Sequence, residues 1–110
     1  MVVKLDYPSV NYIDAVLDAW EADTLGKDIK DIMAHPAHAH LASFEAKTVS
    51  RIMQRGENPK QFHPGWFTLL EEITGQNPVP EHHEGDHSSM MEHWLNWGRA
   101  HANWLYMPFG

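Results

Sequence analysis

The segment SVNYIDAVLDAWEA, residues 9–22, decides the fold class. Val10, Ile13, Val16, Leu17 and Trp20 recur at helical spacing, with Asn11, Asp14, Asp18 and Glu21 on the other side. Neither this segment nor any other has the strict alternation of a half-buried strand. Pro8 enters the helix and residues 24–26 break it. Carried outward, the same reading gives a short helix over 27–34, with Ile29, Ile32 and Met33 as its buried set. A long helix follows over 36–55. Pro36 cannot continue the helix before it but suits the first turn of a new one, and Gly56 is a left-handed stop. A fourth helix starts at Pro64, buries Trp66, Leu69, Leu70 and Ile73, and closes at Gly75. Residues 76–87 carry Pro78, Pro80 and Gly85 and read as a loop. The last helix begins at Ser88 or Ser89, where Ser89 and Glu92 have capping-box spacing, and reaches about Tyr106. Its face is Met90, Trp94, Trp97, His101, Trp104 and Leu105, and Gly98 within it implies a closely packed neighbour. The expected fold is all-α: a compact helical bundle of four main helices plus one short helix, in one domain over residues 1–110.

Composition narrows the function. Fifteen Asp and Glu against eight Lys and Arg give a net charge of −7, which repels phosphate backbones and anionic lipid, so neither nucleic-acid nor membrane binding is expected. No apolar run approaches the ~18 residues of a membrane span. The first eight residues lack the apolar stretch of a leader, and a soluble, cytoplasmic protein is expected. With no cysteine there are no disulfides, thiolate metal sites or cysteine nucleophiles. A nucleophile elbow, a phosphate-cradling glycine loop, a dinucleotide fingerprint, a zinc-protease helix and a calcium loop are all absent.

Without thiolates, any divalent transition metal must use imidazole nitrogen and carboxylate oxygen. Three clusters contain such groups. His38 and Glu45 fall inside the apolar stripe of the long helix, and His101 falls inside that of the last. Ionisable groups on apolar faces need partners, so the three read first as a hydrogen-bonded His–carboxylate pairing in the core and second as a candidate internal metal set, with seven residues and ~10.5 Å of helix rise separating His38 from Glu45. The loop EHHEGDH, residues 81–87, supplies the alternative set His82, His83 and His87, at the entropic cost of ordering a loop. In HPAHAH, residues 35–40, His35 and His40 read as capping or solvent-facing, and His38 as a boundary histidine, since His38 and His40 cannot both point inward. The aromatic series Trp94, Trp97, Trp104, Tyr106 and Phe109 exceeds what a small bundle hides and marks a candidate interface. These features suggest a non-catalytic interaction or regulatory module, either a homodimer or a small subunit of a larger assembly. The alternative is a His/carboxylate metal-binding helical protein with catalytic potential.

Overall fold

Among the described residues, five of the six α-helices begin where a side chain accepts an orphaned amide of the first turn. The structure, a computed structural model, describes residues 9–101. Helix α1 (Val10–Asp23) is capped by Ser9, whose Oγ accepts from the Tyr12 amide at 3.1 Å. Asp28 does the same for α2 (Ile29–Ala34), accepting from the Asp31 amide at 2.9 Å. Helices α3 (Pro36–Ala42) and α5 (Pro64–Thr74) each open on a His-Pro pair. In both, proline takes the first turn and the preceding imidazole accepts through Nδ1 from the amide two residues on, Ala37 or Gly65, at 3.0 Å. Asp86 caps α6 (His87–Ala100), accepting the Ser89 amide at 3.3 Å and the Ser89 hydroxyl at 3.0 Å. No strand occurs among the described residues, and the fold is all-α.

The long helix expected over 36–55 is two helices, α3 and α4 (Ala46–Glu57). The Ser43 hydroxyl donates to the His40 carbonyl and the Thr48 hydroxyl to the Leu41 carbonyl at 2.6 Å. Side chains thus satisfy the last carbonyls of α3, and Glu45 turns the chain with φ 51°. His38 stays buried, whereas Glu45 is turned out to solvent. Helix α6 differs at both ends. It starts at His87, because the Asp86 carboxylate captures Ser89 before Ser89 can act as a cap. It ends at Ala100, where His101 leaves helical geometry with φ −118° and ψ 42°. Residues 102–110 lie outside the described residues. Helix α5 has the expected limits, closed by Gly75 at φ 69°.

The buried apolar side chains form one cluster. Ile13, Leu17 and Trp20 of α1 meet Ile32, Leu41, Val49, Ile52, Leu69 and Leu70, with Met91 and Trp94 contributed by α6. Two glycines set the closest approaches. A Cβ at Gly65 would lie 2.5 Å from the Trp20 ring, and one at Gly56 would lie 2.3 Å from the Met91 sulfur. Part of the polar side of α1, Asp14 and Glu21, faces α4, with Asp18 71 % exposed at the rim. Arg51 holds Asp14 through Nε and Nη2, both at 3.0 Å, and Arg55 Nη1 reaches Asp18 and Glu21 at 2.9 Å each. Carboxylates at positions 14, 18 and 21 and guanidinium groups at 51 and 55 have the spacing of one helix face each, so they join as an ionic seam.

Candidate functional site

Both His-Pro pairs converge on the C-terminal end of α1. Thr24, the residue that ends α1, is 1 % exposed and donates its hydroxyl to the Trp20 carbonyl at 2.6 Å. The same oxygen lies 2.9 Å from His63 Nε2. His63 Nδ1 already accepts the Gly65 amide, so Nε2 carries the proton and donates to Thr24, which fixes one neutral tautomer. Burial lowers the His63 pKa below the ordinary histidine value, and His87 nearby lowers it further. By the same logic His35 accepts Ala37 through Nδ1 and donates through Nε2 to Asp23 at 3.1 Å.

A hollow of about 200 Å³ opens at this end, lined by Glu21, Ala22, Leu25, Gln61, Phe62 and His63. Burial pushes the Glu21 carboxyl above the ordinary glutamate value, against the pull of the Trp66 indole N–H at 3.2 Å and of Arg55. The two ionisable groups of the hollow are therefore both shifted toward their neutral forms. Its lip is apolar. Leu25 is 63 % exposed, and Ile29 and Met33, four residues apart on one face of α2, are 42 % and 47 % exposed. The sequence reading places Ile29 and Met33 in the core; only Ile32 goes there. Beside them Lys27, Asp28, Lys30 and Asp31 balance, so this edge is locally neutral in a chain of net charge −7.

The internal metal set comes apart. His38 lies on α3, 4 % exposed, with its ring 6.1 Å from that of Trp20. Its Nδ1 is 3.4 Å from Glu72 Oε2, and its Nε2 is buried without a hydrogen-bond partner. Burial lowers its pKa, with Glu72 pulling the other way. Glu45 is exposed and shares with Ala42, Glu72 and Ile73 an open hollow of about 360 Å³. His101 is exposed at the end of α6, stacked on Trp97 at 4.3 Å and 14°. Only Glu72 links His38 to the Glu45 hollow. Helical phase alone did not flag Glu72, because it lies outside the apolar stripe of α5.

The loop set is rearranged as well. His83 stands on the 3-10 turn Glu81–His83, and its Nδ1 lies 2.8 Å from Nε2 of His93 on α6. The His82 ring is 4.2 Å from that of His83, while His87 packs on Phe67 at 5.4 Å. No three His, Asp or Glu side chains among the described residues are placed to hold a metal ion, and neither expected triad is brought together. The physical reasons are the α3–α4 break, which turns Glu45 outward, and the α6 start, which sends His87 toward Phe67. His93 was missed because nothing in its own helix marks it; its partner comes from the loop.

The aromatic series also divides. Trp94 is 1 % exposed and belongs to the core, correcting its assignment to an interface. Trp97 is half-buried, edge-on to Trp94 at 5.6 Å. Trp104, Tyr106 and Phe109 lie outside the described residues. Among the described residues no helix is long and apolar enough to cross a membrane. Comparison of the chain with protein-family models, with curated proteins and with solved structures found no match.

Proposed function

We propose that the chain is a non-catalytic helical interaction module that associates with a second copy of itself through the edge built from Leu25, Ile29 and Met33. The observation that carries this reading is the exposure of those three large apolar side chains, close together in sequence, at 63, 42 and 47 %. The adjoining hollow, at about 200 Å³, is smaller than the ~300–1,000 Å³ typical of small-molecule sites and close to the size of one large side chain. The Glu21 carboxylate is already engaged by Arg55 and the Trp66 indole, and His63 is a neutral imidazole, which favours an apolar occupant over a charged one. Two molecules of charge −7 repel, and the balanced charges at 27, 28, 30 and 31 add nothing to that repulsion at this edge. The same net charge weighs against a nucleic-acid partner.

Sedimentation equilibrium at micromolar protein tests the reading. The expected mass is that of a dimer, strengthened by added salt because screening relieves the repulsion between acidic copies. The Ile29→Lys/Met33→Lys variant is expected to be monomeric with unchanged helicity. A monomer throughout the concentration range, or a dimer indifferent to the double substitution, contradicts the reading.

A further inference from the structure

The geometry points to a divalent-metal site at His83 and His93, two imidazoles drawn from different elements and brought nitrogen to nitrogen on the surface beside α6. Their approach, Nδ1 of His83 to Nε2 of His93, is 2.8 Å, with ring centroids 5.0 Å apart. Two nitrogens bound to one ion at ~2.0–2.1 Å lie roughly 2.9 Å apart when their bonds meet at a right angle, and roughly 3.3 Å apart at a tetrahedral angle. The observed spacing matches the right-angle pair of a square-planar or tetragonal ion, the preference of Cu(II) and Ni(II) with nitrogen ligands.

Both ligands are already in place. Loop ordering, the main cost of binding metal in a flexible segment, is largely met here. Val79 is buried in the core at 7 % exposure, ahead of the turn. The His83 amide donates to the Pro80 carbonyl at 2.9 Å and the Glu84 amide to the Glu81 carbonyl at 3.1 Å. Asp86 closes the segment by capping α6 and accepting from Ser89, so it is committed to structure. On the other side His93 precedes Trp94, a ring fixed in the core at 1 % exposure. Both imidazoles are half-buried, and the carboxylates of Glu81 and Glu84 stand exposed in the same segment, where their charge favours a cation.

In the metal-free pair one nitrogen carries the proton that joins the rings. Binding moves that proton to the other nitrogen of the same ring, so both lone pairs face the ion and no net proton is released from a neutral pair. The protein supplies two ligands, and water completes the coordination. This differs from the sets considered from sequence: of His82, His83 and His87 only His83 is a member, and His93 joins it.

The test uses Cu(II) alone, added to chelator-stripped full-length chain. One ion per chain is expected, with an electron paramagnetic resonance spectrum of a tetragonal site bearing nitrogen ligands. Substoichiometric Cu(II) should broaden the ring signals of His83 and His93 in the nuclear magnetic resonance spectrum before those of the other histidines, a reading that needs no variant. Replacement of His83 or His93 by Gln should weaken binding at least tenfold with helicity unchanged, whereas His87→Gln should leave it within twofold. Simultaneous broadening of many histidines, several weakly bound ions per chain, or binding indifferent to His93→Gln would overturn the site.

Discussion

His35 and His63 perform the same capping task in different surroundings, and replacing each by alanine separates the cap from its environment. Loss of a side-chain N-cap costs about 1 kcal/mol. For His35 little is added, because its second partner, Asp23, is 63 % exposed and a contact between exposed groups contributes a few tenths at most. His63 is 5 % exposed. Its removal also takes away a hydrogen bond to the buried Thr24 hydroxyl, about 0.5–1.5 kcal/mol, and a ring packed 5.0 Å from that of Trp20, on the order of another 1 kcal/mol. The expected losses are about 1 kcal/mol for His35→Ala and about 2.5–3.5 kcal/mol for His63→Ala, read from urea unfolding midpoints with an unchanged slope. His63→Asn keeps an acceptor for the Gly65 amide but is too short for Thr24, so it should recover roughly the capping share. Equal losses at the two positions, or a loss below about 1 kcal/mol for His63→Ala, would refute the assignment of His63 as a buried, neutral cap.

Acid provides an independent check on the same groups. His38 and His63 have folded pKa values lowered by burial, so below the unfolded value near ~6.5 the unfolded chain binds protons that the folded one does not. Stability is therefore full above about pH 6.5 and falls as the pH drops toward the folded values, by up to about 1.4 kcal/mol per pH unit for each group. Unfolding midpoints between pH 5 and 8 should show this slope, reduced in His63→Asn and in His38→Gln; a rise in stability on acidification would contradict it. Gly65→Ala should destabilise by about 1–3 kcal/mol or more, since its Cβ meets the Trp20 ring and Ile32, both without room to move. Gly56→Ala should cost less, because the side chain it meets is the flexible Met91 and alanine favours the helix. Arg55→Met should cost about 1–3 kcal/mol by leaving half-buried Glu21 and Asp14 short of a donor, measured by the same unfolding curves.

Periodicity and punctuation carry most of this fold. The apolar spacing of α1, the two His-Pro entries and the Gly75 stop are local features, and α1, α3 and α5 begin where those features put them. The α3–α4 break was hidden because Ser43 and Thr48 end the helix through side-chain bonds to carbonyls, while the stripe of apolar positions continues in phase through the turn. The candidate sites were less legible for a related reason. His93 and Glu72 each become informative only through a partner on another element, and helical phase says nothing about partners. Ile29 and Met33 read as core because α2 is too short to show a polar side; the six-residue helix places one side chain, Ile32, against the bundle.

The absence of cysteine permits a direct test of self-association through α2. Single cysteines introduced by Ile29→Cys or Met33→Cys place one thiol per chain on the proposed edge, and Asp18→Cys, at the 71 % exposed rim of the α1–α4 ionic seam, serves as the control. Mild oxidation at micromolar protein, followed by non-reducing electrophoresis, is expected to give a disulfide-linked dimer rapidly from a substitution at 29 or 33 and slowly from that at 18. Cross-linking at equal rates from all three positions, or none from 29 and 33, would contradict an interface on this edge.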